Sequence, residues 1–504
     1  ALVSMAAAHQ HPGPVVIITD DAASTQRLEY ALSFYSGEHP DIPILTFPDW
    51  ETLPYDMFSP HQDIISERLT SLNRLPQLHK GILLVPVQTL MHRITPRNYL
   101  DAHSLVLDSG QQLELDSMRL RLESSGYNCV SSVFEHGEFA VRGSMLDLFP
   151  MGSPLPYRIE LFDDEIESIR TFDPETQRSI DKVEQVRLLP AREFPLNKDA
   201  ITRFRQAFRA RFEGDPQRAS VYRDVSNGLA SPGIEYYLPL FFEQTQTLFD
   251  YLPDNTLLVT TTDIEKSADN FWLEAADRHE QLRHDQQRPL LRPGELFLQT
   301  QELFVAFKQF ARVVQQSYKF EDKQACNFAT ASPPSLNLDV RAAEPTANLQ
   351  QFLQSFTGRV LFAAETTGRR EYLLELLRNH DIHPRVIESW PDFLDSDVQL
   401  AITVAPLEQG LLLENPQLAV IAETQLFGPQ VMQRRRRKRS QRDSDAIIRN
   451  LAELTIDAPV VHEEHGVGRF KGLQTLTIGE LDTEFLTLEY AGGDKLYVPV
   501  LSLI

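Results

Sequence analysis

Three short apolar runs constrain this chain more than any other feature. Val15–Thr19 (VVIIT), Gly81–Val87 (GILLVPV) and Leu257–Thr261 (LLVTT) are each too short for a buried helix, and polar residues follow them. Such runs read as parallel strands buried on both faces. Helical spacing lies between them, through Leu28, Leu32 and Tyr35, through Leu69, Leu72 and Leu75, and over 264–278. Ile44–Phe47, after Pro43, reads as a further strand. Alternating strands and helices predict a parallel sheet covered on both sides.

Between the second run and the third, the pattern changes from continuous to alternating. Glu138–Phe149 places Phe139, Val141 and Met145 on one side and Ala140, Arg142 and Ser144 on the other. Gly143 reads as a mid-strand bulge or close approach. Pro150, Gly152, Ser153 and Pro154 then break the chain. In Tyr157–Phe162 the apolar face is Tyr157, Ile159 and Leu161, which leaves Arg158, Glu160 and Phe162 facing water. Asp163–Asp164–Glu165 turns into a third strand, Ile166–Phe172. A helix from about Asp116 to Ser124, with Asp116 as N-cap, precedes these strands, and Lys182–Leu189 closes them. A large aromatic beside an arginine on a polar sheet face has two readings. It is an interaction surface, or Phe162 tucks under a neighbouring helix.

At 504 residues the chain holds about three or four domains of roughly 150 residues. A net charge of −23 argues against indiscriminate coating of nucleic acid. Cys129 and Cys326 stand far apart, which fits a reducing compartment. No apolar run reaches the roughly 18 residues that a membrane span needs, and the start lacks a basic signal-type region. The expectation is a cytoplasmic protein with no membrane contact, read here as a fragment cut at both ends.

Past residue 318 a Pro-rich, small-residue stretch (319–347) reads as a linker. A smaller α/β unit follows, with strands at Val360–Ala364, Arg385–Ile387, Val398–Val404 and Leu418–Ala422. Glu365–Glu371 (ETTGRRE), at a strand–helix turn, is either an anion seat or a plain tight turn. Leu418–Gly428 resembles a helicase DExx strand, but Ala422–Glu423 replaces the magnesium-holding pair. Arg434, Arg435, Arg436, Arg437, Lys438 and Arg439 open a run with seven basic residues in nine positions. That run is a nucleic-acid or interdomain patch, or a solvated tether; no aromatics interleave with it as stacking platforms would. Leu451–Ile504 shows short strands with glycine turns, as in a small β-barrel. His462 and His465 are spaced HEEH, not HExxH, and no third ligand is near, so no metal is expected.

Several stretches carry a resemblance. EHGEFAVRGSMLDLFPMGSPLPYRIELFDDEIESIRTFD resembles the inserted domain shared by the excision-repair protein UvrB and the bacterial transcription-repair coupling factors. FPDWETLPYDMFSPHQDIISERLTSLNRL, ILLVPVQTLMHRITP and GIEYYLPLFFE resemble the helicase-like module of the same proteins. HGVGRFKG with EFLTLEYAGGDKLYVPV resembles the RNA-polymerase-interaction domain shared by the coupling factors and CarD-type regulators. The order of these parts resembles the N-terminal portion of a coupling factor.

The resemblance implies a multidomain α/β chain. Residues 1–103 and 191–318 would form the helicase-like domain, with an inserted α+β UvrA-binding domain at 104–190. A linker at 319–347, a third α/β domain at 348–430, a basic linker at 431–455 and a Tudor/SH3-like polymerase-binding barrel at 456–504 would complete it. The family's UvrA contacts map onto Arg142, Arg158 and Phe162, and its contact to the RNA polymerase β subunit onto Leu476. The resemblance further implies that this part recruits excision repair to stalled polymerase. ATP, magnesium and DNA would belong to a translocase C-terminal to it, and a C-terminal domain would mask the UvrA surface in the intact protein. The alternative is an active UvrB-type NTPase or helicase module. It needs a P-loop lysine, yet no GxxxxGK[ST] occurs in the 504 residues. No catalytic residue and no cofactor are therefore expected in this chain.

Overall fold

A computed structural model describes residues 1–37, 42–322, 325–334, 336–338, 346–428, 459–462, 466–478, 481–490 and 495–499. The chain divides into two compact units, Ala1–Gln430 and Val431–Ile504.

The apolar runs become the centre of a five-stranded parallel sheet. Its spatial order is Ala311–Gln315, Leu257–Thr261, Val15–Thr19, Ile82–Pro86, Ile44–Thr46. Val15–Thr19 and Ile82–Pro86 are buried at every position, as strands covered on both faces must be. The helices Ala22–Ser36 and Gln62–Arg74 connect them, and Asp21 caps the first by accepting from the Ser24 N–H at 2.6 Å. The sheet thus draws strands from both sides of residues 105–188.

That intervening stretch builds a second sheet of six strands. Its order is Ser179–Val183, Glu165–Phe172, Tyr157–Phe162, Met145–Leu148, Glu138–Arg142, Asn128–Cys129. Leu105–Asp108 and Gln185–Leu188 pair in a separate two-stranded antiparallel ladder. Three local expectations change. Glu138–Phe149 is not one strand but a hairpin, with Arg142 paired to Met145 around Gly143–Ser144. Gly143 sits at φ +61, in the glycine-first position of a two-residue hairpin turn. The helix is Leu115–Ser124 with Glu114 at its N-cap, so Asp116 instead places its charge in the first turn. The single closing strand is two strands that leave for different sheets.

The inserted sheet shares one buried cluster with the parallel-sheet domain. Ile159, Leu161 and Ile169 belong to the same core as Leu69, Leu72 and Val85. Arg68, fully buried, locks the junction. Its Nε donates to Glu193 Oε1 at 2.8 Å, its Nη1 donates to the Pro48 carbonyl, and its guanidinium lies 4.2 Å from the Phe47 ring centre. Glu193 also accepts from the Trp50 indole at 3.2 Å. The chain leaving the inserted sheet is therefore pinned to the helix Gln62–Arg74.

Glu235, in the 3₁₀ turn Ile234–Leu240, is buried and accepts from Ser59 Oγ at 2.8 Å. Burial lifts its carboxyl from 4.5 to about 7. A carboxyl whose folded pKa lies above its unfolded value holds its proton more tightly when folded. Stability is therefore lost as pH rises from about 4.5 to about 7, and stays lost above. Glu235→Gln keeps the Ser59 acceptor and removes the titration. Its stability margin over the parent is expected to widen from pH 5 to pH 8 in thermal melts; a margin constant with pH would refute the assignment.

The third α/β unit is a six-stranded mixed sheet. Its order is Thr330–Ala331, Leu411–Glu414, Gln417–Ala422, Arg359–Ala364, Leu400–Val404, Arg385–Val386. Part of the expected linker belongs to it. Thr330–Ala331 forms its edge strand, Leu336 and Leu338 are buried in its core, and Leu338 N donates to the Leu426 carbonyl at 2.6 Å. This unit packs on the helix Ala22–Ser36 through Tyr35 against Trp390, with ring centres 5.0 Å apart, and through an Arg27–Glu408 ion pair.

In the second unit, Pro459–His462, Gly466–Ile478, Leu481–Glu489 and Lys495–Pro499 pair consecutively as an antiparallel sheet. Closure into the expected barrel is not seen among the described residues. No helix among the described residues is long and apolar enough to cross a membrane.

Candidate functional site

Strand register brings the sequence-selected residues of the inserted sheet onto one face. Asp147 stands opposite Arg158, and Arg158 stands opposite Arg170. One step along, Arg142 pairs with Met145, Met145 with Glu160, and Glu160 with Ser168. Phe162 ends its strand at the Asp163–Asp164 turn, where Asp163 takes φ +54.

The three candidates have different surroundings. Phe162 is 70% exposed at the end of its strand. An aromatic of this size left in water on a folded sheet is the unusual feature of the face. Arg158 is committed within the domain. Its Nε and Nη2 donate to the two oxygens of Asp147 at 2.8 and 2.9 Å, and its Nη1 donates to the Gln177 carbonyl at 3.2 Å. Its guanidinium lies 4.8 Å from the Phe172 ring centre. The hydrogen bonds it donates to Asp147 raise its pKa. Arg142 is exposed, yet it donates to the Ser131 carbonyl and to Ser132 Oγ at 2.8 Å, tying the preceding loop to the hairpin.

The face expected to be wet is therefore partly dry. Val133, Ala140, Phe149 and Phe172 form a small apolar cluster there, and Asp147 is 1% exposed. Sequence reading missed Asp147, Phe172 and Gln177. The signal was a lone acid in MLDLF facing a lone arginine in YRIELF, since a charge inside an apolar strand needs a partner.

The turn at Glu365–Glu371 is occupied by the chain's own carboxylate. The helix Thr367–Arg378 starts at Thr366, whose hydroxyl accepts from Arg369 N at 3.2 Å. Glu423, 5% exposed, accepts from the Glu365 N–H at 3.0 Å and from the Arg369 guanidinium. The Asp-Glu replacement noted in the sequence thus supplies an internal anion at the helix start. Leu476 lies in the strand Gly466–Ile478, paired with Thr483. Arg434–Arg439, His465 and the rest of the basic run fall outside the described residues. Among the described residues, no group of three or more His, Cys, Asp or Glu is placed to hold a metal ion.

The first unit is thus a parallel α/β scaffold carrying an inserted, mainly antiparallel sheet with one large aromatic exposed on it. Family comparisons agree: the UvrB interaction domain matches residues 105–194, the MFD, D3 domain residues 352–426, and the CarD-like/TRCF RID domain residues 454–503. The transcription-repair-coupling factor of Haemophilus influenzae is 44% identical over 508 residues, covering 100% of this chain and 44% of that protein. That of Escherichia coli is 46% identical over 498 residues, covering 98% and 43%. The Bacillus subtilis protein is 26% identical over 524 residues, covering 99% and 43%. The chain belongs with the transcription-repair-coupling factors and spans less than half the length of these relatives.

Proposed function

We propose that this chain is the recruitment part of a transcription-repair-coupling factor, joining RNA polymerase to UvrA. The observation that carries the reading is Phe162, 70% exposed at the end of a strand inside the matched UvrB interaction domain. The proposed UvrA surface comprises Phe162 as apolar anchor and Arg142 on the neighbouring hairpin. Arg158 acts in it by holding the strand through Asp147, a change from the direct contact that the resemblance implies.

The proposed polymerase surface lies in the unit matched to the CarD-like/TRCF RID domain. There a closed barrel would offer Leu476 and a strand edge to the β subunit. The experiment is capture: immobilised UvrA should retain the β subunit only when this chain is added. Retention of neither partner, or of one at a time only, would refute the bridging role. In the longer protein a C-terminal domain would mask Phe162, so this chain should bind UvrA more tightly than the longer protein does; equal affinity would refute masking.

The chain itself is proposed to be non-catalytic, with ATP, magnesium and DNA handled by a translocase elsewhere in the longer protein. Two features support this: no P-loop sequence is present, and Glu423 fills the one helix-start anion seat that the sequence suggested. No ATP hydrolysis above buffer is expected from the chain, with or without DNA. Turnover that survives repurification would favour the UvrB-type NTPase reading.

A further inference from the structure

A cavity of about 100 Å³ opens at the carboxyl ends of the strands Ile44–Thr46 and Ile82–Pro86. In α/β folds this end of the sheet is where ligands sit. Two acids, Asp49 and Glu274, line the cavity, and so do the rings of Tyr236, Phe271 and Phe297. His92 also lines it. Its ring lies 5.8 Å from Phe271 and 5.1 Å from Phe297, centre to centre.

This set of groups selects for positive charge. Aromatic faces attract cations through their quadrupole, and they do so most strongly where water is excluded. Asp49 is 9% exposed, with one oxygen held by Thr89 Oγ1 at 3.0 Å and the other by Glu51 N at 2.9 Å. Each of those oxygens keeps a second lone pair for a donor. His92 is 5% exposed, and its Nδ1 has no hydrogen-bond partner. Burial lowers the His92 pKa to about 3, so the ring is neutral and adds no repelling charge. A buried polar atom without a partner, on a residue that lines the cavity, calls for an explanation, and a polar guest in the cavity supplies one.

The loop at the cavity mouth indicates where the cation comes from. Leu53 lines the cavity and is 51% exposed; Met57 and Phe58 follow on the same loop at 62% and 67%. The loop is firmly held. Tyr236 OH donates to the Leu53 carbonyl at 2.7 Å, Arg278 to the Pro54 carbonyl at 2.6 Å, and Arg288 to the Tyr55 carbonyl at 2.9 Å. Glu51 and Tyr55 are both kept at positive φ. A free amine would gain nothing from three exposed apolar side chains, whereas a peptide with apolar flanks would cover them.

We propose that this cavity receives one arginine or lysine side chain from an extended segment of a partner protein, whose apolar neighbours rest on Leu53, Met57 and Phe58. The site lies on the parallel-sheet domain and is separate from the Phe162 face.

The test uses the whole chain with labelled histidine, following the His92 ring nitrogens by NMR. The probes are the blocked tripeptide Leu-Arg-Leu, its Leu-citrulline-Leu analogue, and spermidine. The arginine peptide should give a saturable His92 shift. Binding should weaken about tenfold with citrulline and about tenfold in Glu274→Lys, the scale of one charge-assisted contact. Glu274 is exposed on the helix Ile264–Leu282, so that substitution leaves the core intact. Met57→Ser with Phe58→Ser should weaken the tripeptide and leave N-acetyl-arginine amide unchanged. The proposal is overturned by an absent His92 shift, which means ordered water only. It is equally overturned by equal response to arginine and citrulline, or by spermidine binding more tightly than the peptide. None of these readouts involves UvrA, so this result and the recruitment result stand separately.

Discussion

Arg158→Ala is expected to loosen the inserted sheet before it affects any partner. The substitution leaves Asp147, 1% exposed, as an unpaired buried charge. It also removes the donor to the Gln177 carbonyl and the cation above Phe172. Breaking a buried pair from one side costs about 3 kcal/mol or more. Hydrogen exchange should therefore quicken across Met145–Leu148, Tyr157–Phe162 and Glu165–Phe172, while Val15–Thr19 and Ile82–Pro86 keep their protection. The paired change Arg158→Met with Asp147→Leu should recover most of the loss, because two apolar groups replace two buried charges. Unchanged protection in Arg158→Ala would show that the ion pair does not hold the sheet. Any UvrA defect of Arg158→Ala thus mixes folding with contact.

Phe162→Ala separates the two. The ring is 70% exposed and touches little of its own domain, so folding should change by no more than a few tenths of a kcal/mol. If Phe162 anchors UvrA, its truncation should cost about 2 kcal/mol or more, a loss of more than tenfold in affinity. Circular dichroism and exchange should match the parent while binding falls. A folded Phe162→Ala chain with parental affinity would remove Phe162 from the interface and return it to ordinary surface.

Much of the fold was legible because it rests on local patterns. Val15–Thr19, Gly81–Val87 and Leu257–Thr261 announced a parallel sheet by being apolar on both faces, which only covered strands can afford. Alternation in Tyr157–Phe162 placed Arg158 and Phe162 on one face, and the structure keeps them there. What failed was non-local or depended on backbone angles. Gly143 looked like a mid-strand glycine because its neighbours alternate on both sides; only pairing of Arg142 with Met145 shows a turn. Arg158 and Phe162 looked alike in pattern but differ in the structure, because Asp147 lies eleven residues away and one strand over. Glu423 read as a failed magnesium ligand, since nothing local shows that Glu365 N and Arg369 converge on it. The cation cavity was also invisible, for its lining comes from segments as distant as Asp49, Tyr236 and Phe297.

The central claim is that this chain alone carries a working UvrA surface. The direct measurement is calorimetric titration of UvrA into the unmodified, folded chain without nucleotide. The account predicts saturable binding that falls more than tenfold in the folded Phe162→Ala chain. A heat trace indistinguishable from dilution, with both proteins folded, would contradict it and leave the inserted sheet as scaffold.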